Sequence, residues 1–157
     1  METGGVPRWL DDDEHTAWRA LAALLRRLPA ALDAQLFRDA GLNLFEYEVM
    51  AGLSMAPRRT LRMSVIAHYA QGSLPRLSQA IGRMEARGWV RRRPDPDDGR
   101  ATLVTLNAAG MRKVAKSAPG HVQAVQAYVL APLSQSQARQ LMSICRRIVD
   151  AIDDPEP

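Results

Sequence analysis

Arginine side chains concentrated in the middle of this sequence offer its clearest chemistry, the binding of a polyanion. Of the 21 basic residues, 19 are arginine, and the formal net charge is +4. Ten arginines but only four acidic residues lie between positions 58 and 100, whereas acidic residues are in excess elsewhere. Guanidinium groups bind phosphates, so a localised excess of them indicates a nucleic-acid partner. Codon bias alone would also enrich arginine, and the motifs must decide between the two interpretations.

Residues suited to other chemistries are sparse. The three histidines and the single Cys145 are scattered without metal-ligand spacing. The sequence has no nucleophile elbow, phosphate-binding loop, zinc-protease motif or dinucleotide glycine fingerprint. We therefore expect no enzyme activity, no cofactor and no bound metal. Cys145 falls in an apolar helix stripe, where a thiol is usually inert packing rather than an oxidant sensor.

Length and composition indicate one folded domain covering residues 1–157. Hydrophobic residues make up 46% of the chain and charged residues 24%, as in an average globular protein. The sequence has neither an apolar run long enough to span a membrane nor a signal-peptide pattern at its N-terminus. A single cysteine fits a reducing compartment. We expect a cytoplasmic protein without membrane association.

The elements that position the arginines begin with two helices. Apolar residues recur at three- and four-residue steps through the first of them: Trp18, Leu21, Leu25, Leu28, Leu32 and Leu36. Pro29 should kink this helix, and Gly41 should end it. Asn43 with Glu46 forms a capping signature that opens a second helix, which turns Phe45 inward.

A helix-turn-helix is predicted in the centre of the chain. Residues 60–62 read as a brief strand, and Ser64 as the cap of a short helix over 65–70. After a turn at 71–73, Ser73 is expected to cap a recognition helix over about 73–87, with Pro75 in its first turn, where a missing N–H costs little. A short helix, a tight turn containing glycine and a second helix are typical of DNA-binding proteins.

A basic β-hairpin follows the recognition helix directly. Residues 89–94 and 101–106 have strand-like content, and the DPDDG stretch at 95–99 between them is rich in turn-forming residues. A helix-turn-helix followed by such a hairpin is a winged helix. The sequence therefore predicts a winged helix-turn-helix over 43–106, with the wing at about 89–106.

Further helices are predicted after the wing. Asn107 opens one that Pro119 and Gly120 should interrupt, and Ser134 with Gln137 forms a capping box for the last. The segments 11–40 and 107–153 are long, and each has an apolar face beside a small winged-helix core. We expect them to pack against the same helices of a second copy, forming a homodimer. The predicted fold is mainly α with a small β-hairpin wing.

Several stretches of the sequence resemble the MarR family of bacterial transcription regulators. They are LFEYEVM (44–50), LRMS (61–64), MEARGWVRR (84–92) and PDDGRATLVTLNAAG (96–110). The resemblance extends from about residue 9 to 152. It implies that the protein is a ligand-responsive repressor and that it binds a pseudo-palindromic DNA operator as a homodimer. The chain departs from the family pattern at 73–76, where SLPR replaces a Ser-Arg-Ser-Gly type of start, so no operator sequence carries over.

The predicted DNA contacts fall on the recognition helix and the wing. They are Ser73, Pro75, Arg76, Ser78, Gln79, Arg83, Arg91, Arg92, Arg93, Asp98 and Arg100. The recognition-helix residues read bases or hold phosphate, the arginines at 91–93 clamp phosphates, and Arg100 enters the minor groove with Asp97 or Asp98 orienting it. The alternative for these residues is a solvated charged surface. Arg83→Ala and Arg100→Ala should weaken DNA binding with thermal stability near that of the wild type.

A ligand pocket between the terminal helices and the winged helix is implied by the resemblance. Its candidate lining residues are Trp18, Arg19, Met50, Leu53 and His68, which would suit a small aromatic or anionic effector. The alternative is that these apolar side chains are core residues. Two other classes stay open, a nucleoid or RNA-binding module without sequence preference and a winged helix that contacts only proteins.

Overall fold

The computed structural model describes residues 8–154. In this part of the chain the secondary structure consists of α1 (Asp12–Ala40), α2 (Leu44–Met55), β1 (Thr60–Arg62), α3 (Met63–Tyr69), α4 (Leu74–Ala86), β2 (Val90–Pro94), β3 (Thr102–Leu106), α5 (Ala108–Val125) and α6 (Gln135–Asp153). A short 3-10 turn, Pro57–Arg59, precedes β1, and a π-helical segment, Gln126–Leu130, extends α5. The predicted mainly α fold with a hairpin wing is confirmed.

Local capping chemistry sets where several helices start. The Asn43 side chain accepts the backbone N–H of Glu46 at 2.8 Å, and Ser134 accepts that of Gln137 at 3.2 Å. Both are complete capping boxes, as the sequence predicts. Ser73 is the N-cap of α4, also as predicted. Each such cap stabilises its helix by about 1 kcal/mol, because it satisfies a backbone donor that the helix itself leaves free.

Two predicted boundaries are wrong. Pro119 and Gly120 do not interrupt a helix, because α5 runs through both. At Gly120 a Cβ atom would lie 3.3 Å from Nε2 of Gln35 on α1, so the missing side chain lets these helices approach closely. The prediction that Ser64 caps α3 also fails, since α3 starts at Met63 with Arg62 at the N-cap and no capping side chain. At Gly120 the close packing of α5 on α1 outweighs the local signal.

The hydrophobic core lies between α2, α3, α4 and the sheet. Leu77, Ala80, Ile81 and Met84 of α4 are all fully buried, as their spacing predicts. They meet equally buried side chains from the rest of the winged helix and the end of α1: Leu36, Leu42, Val49, Met50, Leu53, Ile66, Val90 and Val104. This core therefore fixes which side of α4 faces solvent.

The wing is part of a three-stranded antiparallel sheet with the order β1-β3-β2. The hairpin pairs Arg92 with Val104, which is fully buried on the face that packs against the helices. On the opposite face, which we call the outer face, the hydroxyls of Thr60 and Thr105 lie 2.8 Å apart. Since paired residues share a face and neighbours alternate, Arg91 and Arg93 lie on the outer face.

The terminal helices divide between the protomer core and open surface. The C-terminal half of α1 packs on α5, so part of the predicted dimerisation segments belongs to the core of the single chain. By contrast, α6 has no buried residue, and its Ile144, Ile148 and Ile152 are 40–70% exposed, with Cys145 also exposed. Among the residues described, no helix combines the length and apolar character that crossing a bilayer requires.

Candidate nucleic-acid interface

The outward face of α4 lies opposite its four buried apolar residues. Pro75, Arg76 and Gln79 are exposed there, with Ser73 at the helix N-terminus, whereas Ser78 is partly buried towards the wing. Pro75 occupies the first turn, where its lack of an N–H is tolerated. The N-terminal half of α4 thus presents a short row of polar and basic side chains to solvent, as the sequence predicts.

Two arginines on this helix are held by the start of α2. The guanidinium of Arg76 lies over the Phe45 ring, 4.3 Å from its centre. Arg83 donates from Nε to Oε1 of Glu46 at 2.9 Å, and Glu46 is only 3% exposed. About half of the Arg83 side chain is exposed. Arg83 therefore neutralises a buried carboxylate in addition to facing solvent, a role that no motif in the sequence indicates.

A cleft of about 420 Å³ separates α4 from the wing. It is lined by Arg62, Ser64, Leu74, Ser78, Asp98 and Arg100, among others. Two of these residues are arginines from different elements, and both of their side chains reach an exposed surface. The recognition helix and the wing tip therefore enclose a concave, basic surface.

At the wing, Asp95 forms an ion pair with Arg62. The side chain of Arg62 approaches Oδ2 of Asp95 to 2.7 Å, and the backbone N–H of Asp97 donates to Oδ1 at 3.0 Å. These bonds, that of Asp97 foremost, lower the pKa of Asp95. We predicted that a carboxylate orients the Arg100 side chain. This prediction is wrong, since the Asp98 carboxylate accepts only the backbone N–H of Arg100, at 3.2 Å.

The three consecutive arginines of β2 do not act alike, because strand residues alternate in direction. Arg92 turns towards α4, where its backbone N–H and Nε donate to the Glu85 carboxylate at 2.8 and 3.0 Å. The backbone N–H of Arg92 is the main reason that the pKa of Glu85 is lowered. Arg91 and Arg93 lie on the outer face and are exposed. Phosphate contact stays a prediction for all three.

The predicted ligand-pocket residues are not brought together. Met50 and Leu53 are completely buried core residues, so they present no surface to a ligand in this chain. Trp18 is 55% exposed on α1, and Arg19 and His68 are also exposed. Apolar residues at helical spacing can line a core or a pocket, and here Met50 and Leu53 belong to the core.

A cleft does lie nearby, between α1, α2 and the start of α4. Its volume is about 450 Å³, and its lining includes Pro29, Asp33, Phe45, Glu48 and Arg76. Asp33 accepts the backbone N–H of Leu44 at 2.8 Å across this junction. Burial raises the pKa of Glu48, and the nearby Arg76 partly offsets that rise.

The arrangement of α3, a tight turn, α4 and a three-stranded wing defines a winged helix-turn-helix protein. A sequence model of the MarR family matches residues 40–101. The structure is similar to that of Sco3205, a MarR family transcriptional regulator from Streptomyces coelicolor solved in complex with DNA. The two are 37% identical, with 97% of this chain and 95% of the other covered and a TM-score of 0.92.

A second solved relative agrees with the first. It is AbsC, a MarR family transcriptional regulator from Streptomyces coelicolor, at 31% identity, with 94% of this chain and 99% of that chain covered and a TM-score of 0.87. A comparison with curated protein sequences gave no match. The chain belongs to the MarR family of transcriptional regulators, whose members regulate transcription and are not enzymes.

Proposed function

We propose that this protein is a homodimer that binds a specific pseudo-palindromic DNA operator as a ligand-responsive repressor. The observation that supports this most is the exposed N-terminal row of α4 beside an arginine-bearing wing. A regulator 37% identical to the chain over almost its full length was solved in complex with DNA. Identity at that level over the whole chain favours the same mode of action.

In this proposal α4 enters the major groove and reads bases with its outward side chains. Gln79 has the amide groups that pair with adenine, and Arg76 or Arg83 can bind guanine through two hydrogen bonds. Pro75 adds an apolar contact at the first turn. The hydroxyl of Ser73 and the N-terminus of α4 suit a phosphate oxygen, because backbone N–H groups there point outward. Ser78 lies at the wing side of the same surface.

The wing supplies the second part of the interface. Arg100 at the tip enters the adjacent minor groove, where narrow A/T-rich segments attract arginine. The hydrogen bond from the backbone N–H of Arg100 to the Asp98 carboxylate fixes the turn that carries Arg100. Arg91, Arg92 and Arg93 contribute phosphate contacts and hence salt dependence.

Dimerisation through the terminal helices is supported by exposed apolar side chains. Trp18 and Leu25 of α1 are 55% and 60% exposed, and Ile152 of α6 is 70% exposed. A groove of about 480 Å³ on α6 is lined by Ile144, Ile148 and Ile152 with Arg147 and Ala151. A second copy that covers these surfaces would place two recognition helices on one duplex, about one helical turn apart.

We assign the ligand response to the cleft between α1 and α4 in place of the residues predicted from sequence. Its lining joins a proposed dimerisation helix to Arg76 of the recognition helix, so an occupant would alter how Arg76 is presented to DNA. Asp33 and Glu48 add two carboxylates to one guanidinium. This charge balance suits a neutral or cationic aromatic effector better than the anionic one that we expected.

Selection of duplexes from a random pool by the purified protein tests the proposal. The affinity for the selected operator is then compared with that for a shuffled duplex of equal length at one salt concentration. We expect a preference of about 10³-fold or more. Equal affinities would contradict sequence-specific regulation and favour a nucleoid-type module.

A substitution of Gln79 tests the reading surface itself. Gln79→Ala should weaken operator binding by about 1–3 kcal/mol and relax the preference at one base pair of each half-site. Gln135→Ala, an exposed glutamine in the first turn of α6, serves as the matched control. Equal behaviour of the two variants would contradict base reading by Gln79.

A further inference from the structure

Four arginines form a strip on and beside the outer face of the wing sheet. Arg58 and Arg59 directly precede β1, and Arg91 and Arg93 lie on β2; we call these four the outer strip. A groove of about 420 Å³ connects the two ends of the strip, with Arg58, Thr60, Arg93 and Leu103 in its lining. The strip faces away from α4, because α4 packs on the opposite face of the sheet through Glu85 and Arg92.

The backbone at Arg58 and Arg59 is held in a conformation that arginine rarely adopts. Their φ angles are +52° and +54°, in the left-handed region that favours glycine. The turn is fixed by a bond from the N–H of Arg59 to the carbonyl of Ala56 at 2.9 Å and by one from the Thr60 hydroxyl to the Arg58 carbonyl at 3.0 Å. Strained backbone of this kind is concentrated at functional sites, and here it carries two consecutive exposed arginines.

The four arginines of the outer strip make no ion pair with the described part of the chain. Across residues 8–154, no carboxylate lies within 4.0 Å of any of its four guanidinium groups. Two carboxylates border the groove: Asp95 is paired with Arg62 and is also stabilised by the nearby charge of Arg93, and Asp97 is the other. The strip therefore has an excess of positive charge that calls for a polyanionic partner.

We propose that the outer strip binds the phosphate backbone of the duplex that flanks the operator, beyond the wing. This inference rests on the proposed function. A duplex that lies across α4 and the wing tip continues past the wing, and the outer face is the surface that the continuing segment meets. Arg91 and Arg93 lie about 6.6 Å apart along the strand, so each can meet a separate phosphate. Arg58 and Arg59 extend the strip beyond β2.

The test compares two duplexes that contain the same selected operator. One ends at the operator boundary, and the other carries about one helical turn of unrelated sequence on each side. The wild type should bind the longer duplex more tightly at low salt, and Arg58→Ser/Arg59→Ser should lose that advantage. On the longer duplex, the variant's slope of log affinity against log salt should be smaller by about 0.9 for each phosphate that the variant no longer neutralises.

Two controls separate this binding from folding and from net charge. Arg112→Ser/Arg139→Ser removes two exposed charges from α5 and α6 and should keep the flank advantage. Arg58→Gly/Arg59→Gly should lose the advantage while its melting temperature rises, because glycine relieves the left-handed strain.

A flank advantage that persists in both Arg58/Arg59 variants would overturn the inference, as would an equal loss of affinity on both duplexes. A wild type that does not distinguish the operator from a shuffled duplex would instead overturn the proposed function.

Discussion

Removal of the Arg83 side chain should damage both folding and DNA binding, contrary to the expectation from sequence that stability would stay near that of the wild type. Arg83→Ala leaves the Glu46 carboxylate, which is 3% exposed, without its 2.9 Å partner. Removing one member of a fully buried ion pair costs about 3–5 kcal/mol, and an exposed pair contributes about 0.2–1 kcal/mol.

The structure places this pair between those limits. About half of the Arg83 side chain is exposed, so water screens the interaction. Arg87 lies 4.0 Å from Oε2 of Glu46, and the N–H of Asn43 donates to the same oxygen at 3.5 Å, so part of the charge stays compensated. We therefore expect a loss of about 1–2 kcal/mol, or about 2–8 °C in melting temperature for a chain of this size.

A double-mutant cycle separates the two effects of Arg83. Glu46→Gln keeps an acceptor for the helix cap and removes the charge, so Arg83→Ala/Glu46→Gln should regain most of the stability that Arg83→Ala loses. Operator affinity should stay low in the double variant. Thermal melts at one protein concentration and anisotropy titrations measure the two quantities, with Arg112→Ala as a control. If Arg83→Ala has the same melting temperature as the wild type, the reasoning about Glu46 is wrong.

Three further changes probe other parts of the structure. Burial lowers the pKa of His121 from its usual 6.5, so unfolding should become easier as the pH falls below 6.5, and His121→Gln should flatten that dependence in melts between pH 5 and 8. Gly110→Ala should cost about 1–3 kcal/mol in denaturant titrations, because a Cβ there clashes with the carbonyl oxygen of Trp89. Asp95→Asn should weaken operator binding by freeing Arg62. Its stability deficit should be present at neutral pH, begin to shrink as the pH falls below about 3.8, and vanish only below the lower pKa that Asp95 has in the folded state. A deficit that persists in acid, or no deficit at any pH, would contradict the role given to Asp95.

The elements that local signals specify were predictable from the sequence. Ser73 at the N-cap, Pro75 in the first turn and the apolar spacing of α4 together define the recognition helix, and the structure begins it at Leu74 as expected. The turn residues at 95–99 likewise specify the hairpin. Both rest on preferences of residues that are neighbours in the chain, which explains why the prediction succeeded.

Pairs that are distant in sequence were not predictable in the same way. Arg83 meets Glu46 across 37 positions and Arg62 meets Asp95 across 33, and no periodicity records such contacts. The helix interruption predicted at Gly120 is wrong, because this glycine lies where α5 packs on α1. A glycine there has a packing role that its local preference does not reveal.

Hydroxyl-radical footprinting of the selected operator tests the central claim most directly. Two copies of α4 on one duplex should protect two tracts related by two-fold symmetry and separated by about one helical turn of 10–10.5 base pairs. A single protected tract, or uniform protection without a preferred position, would contradict an operator-binding dimer.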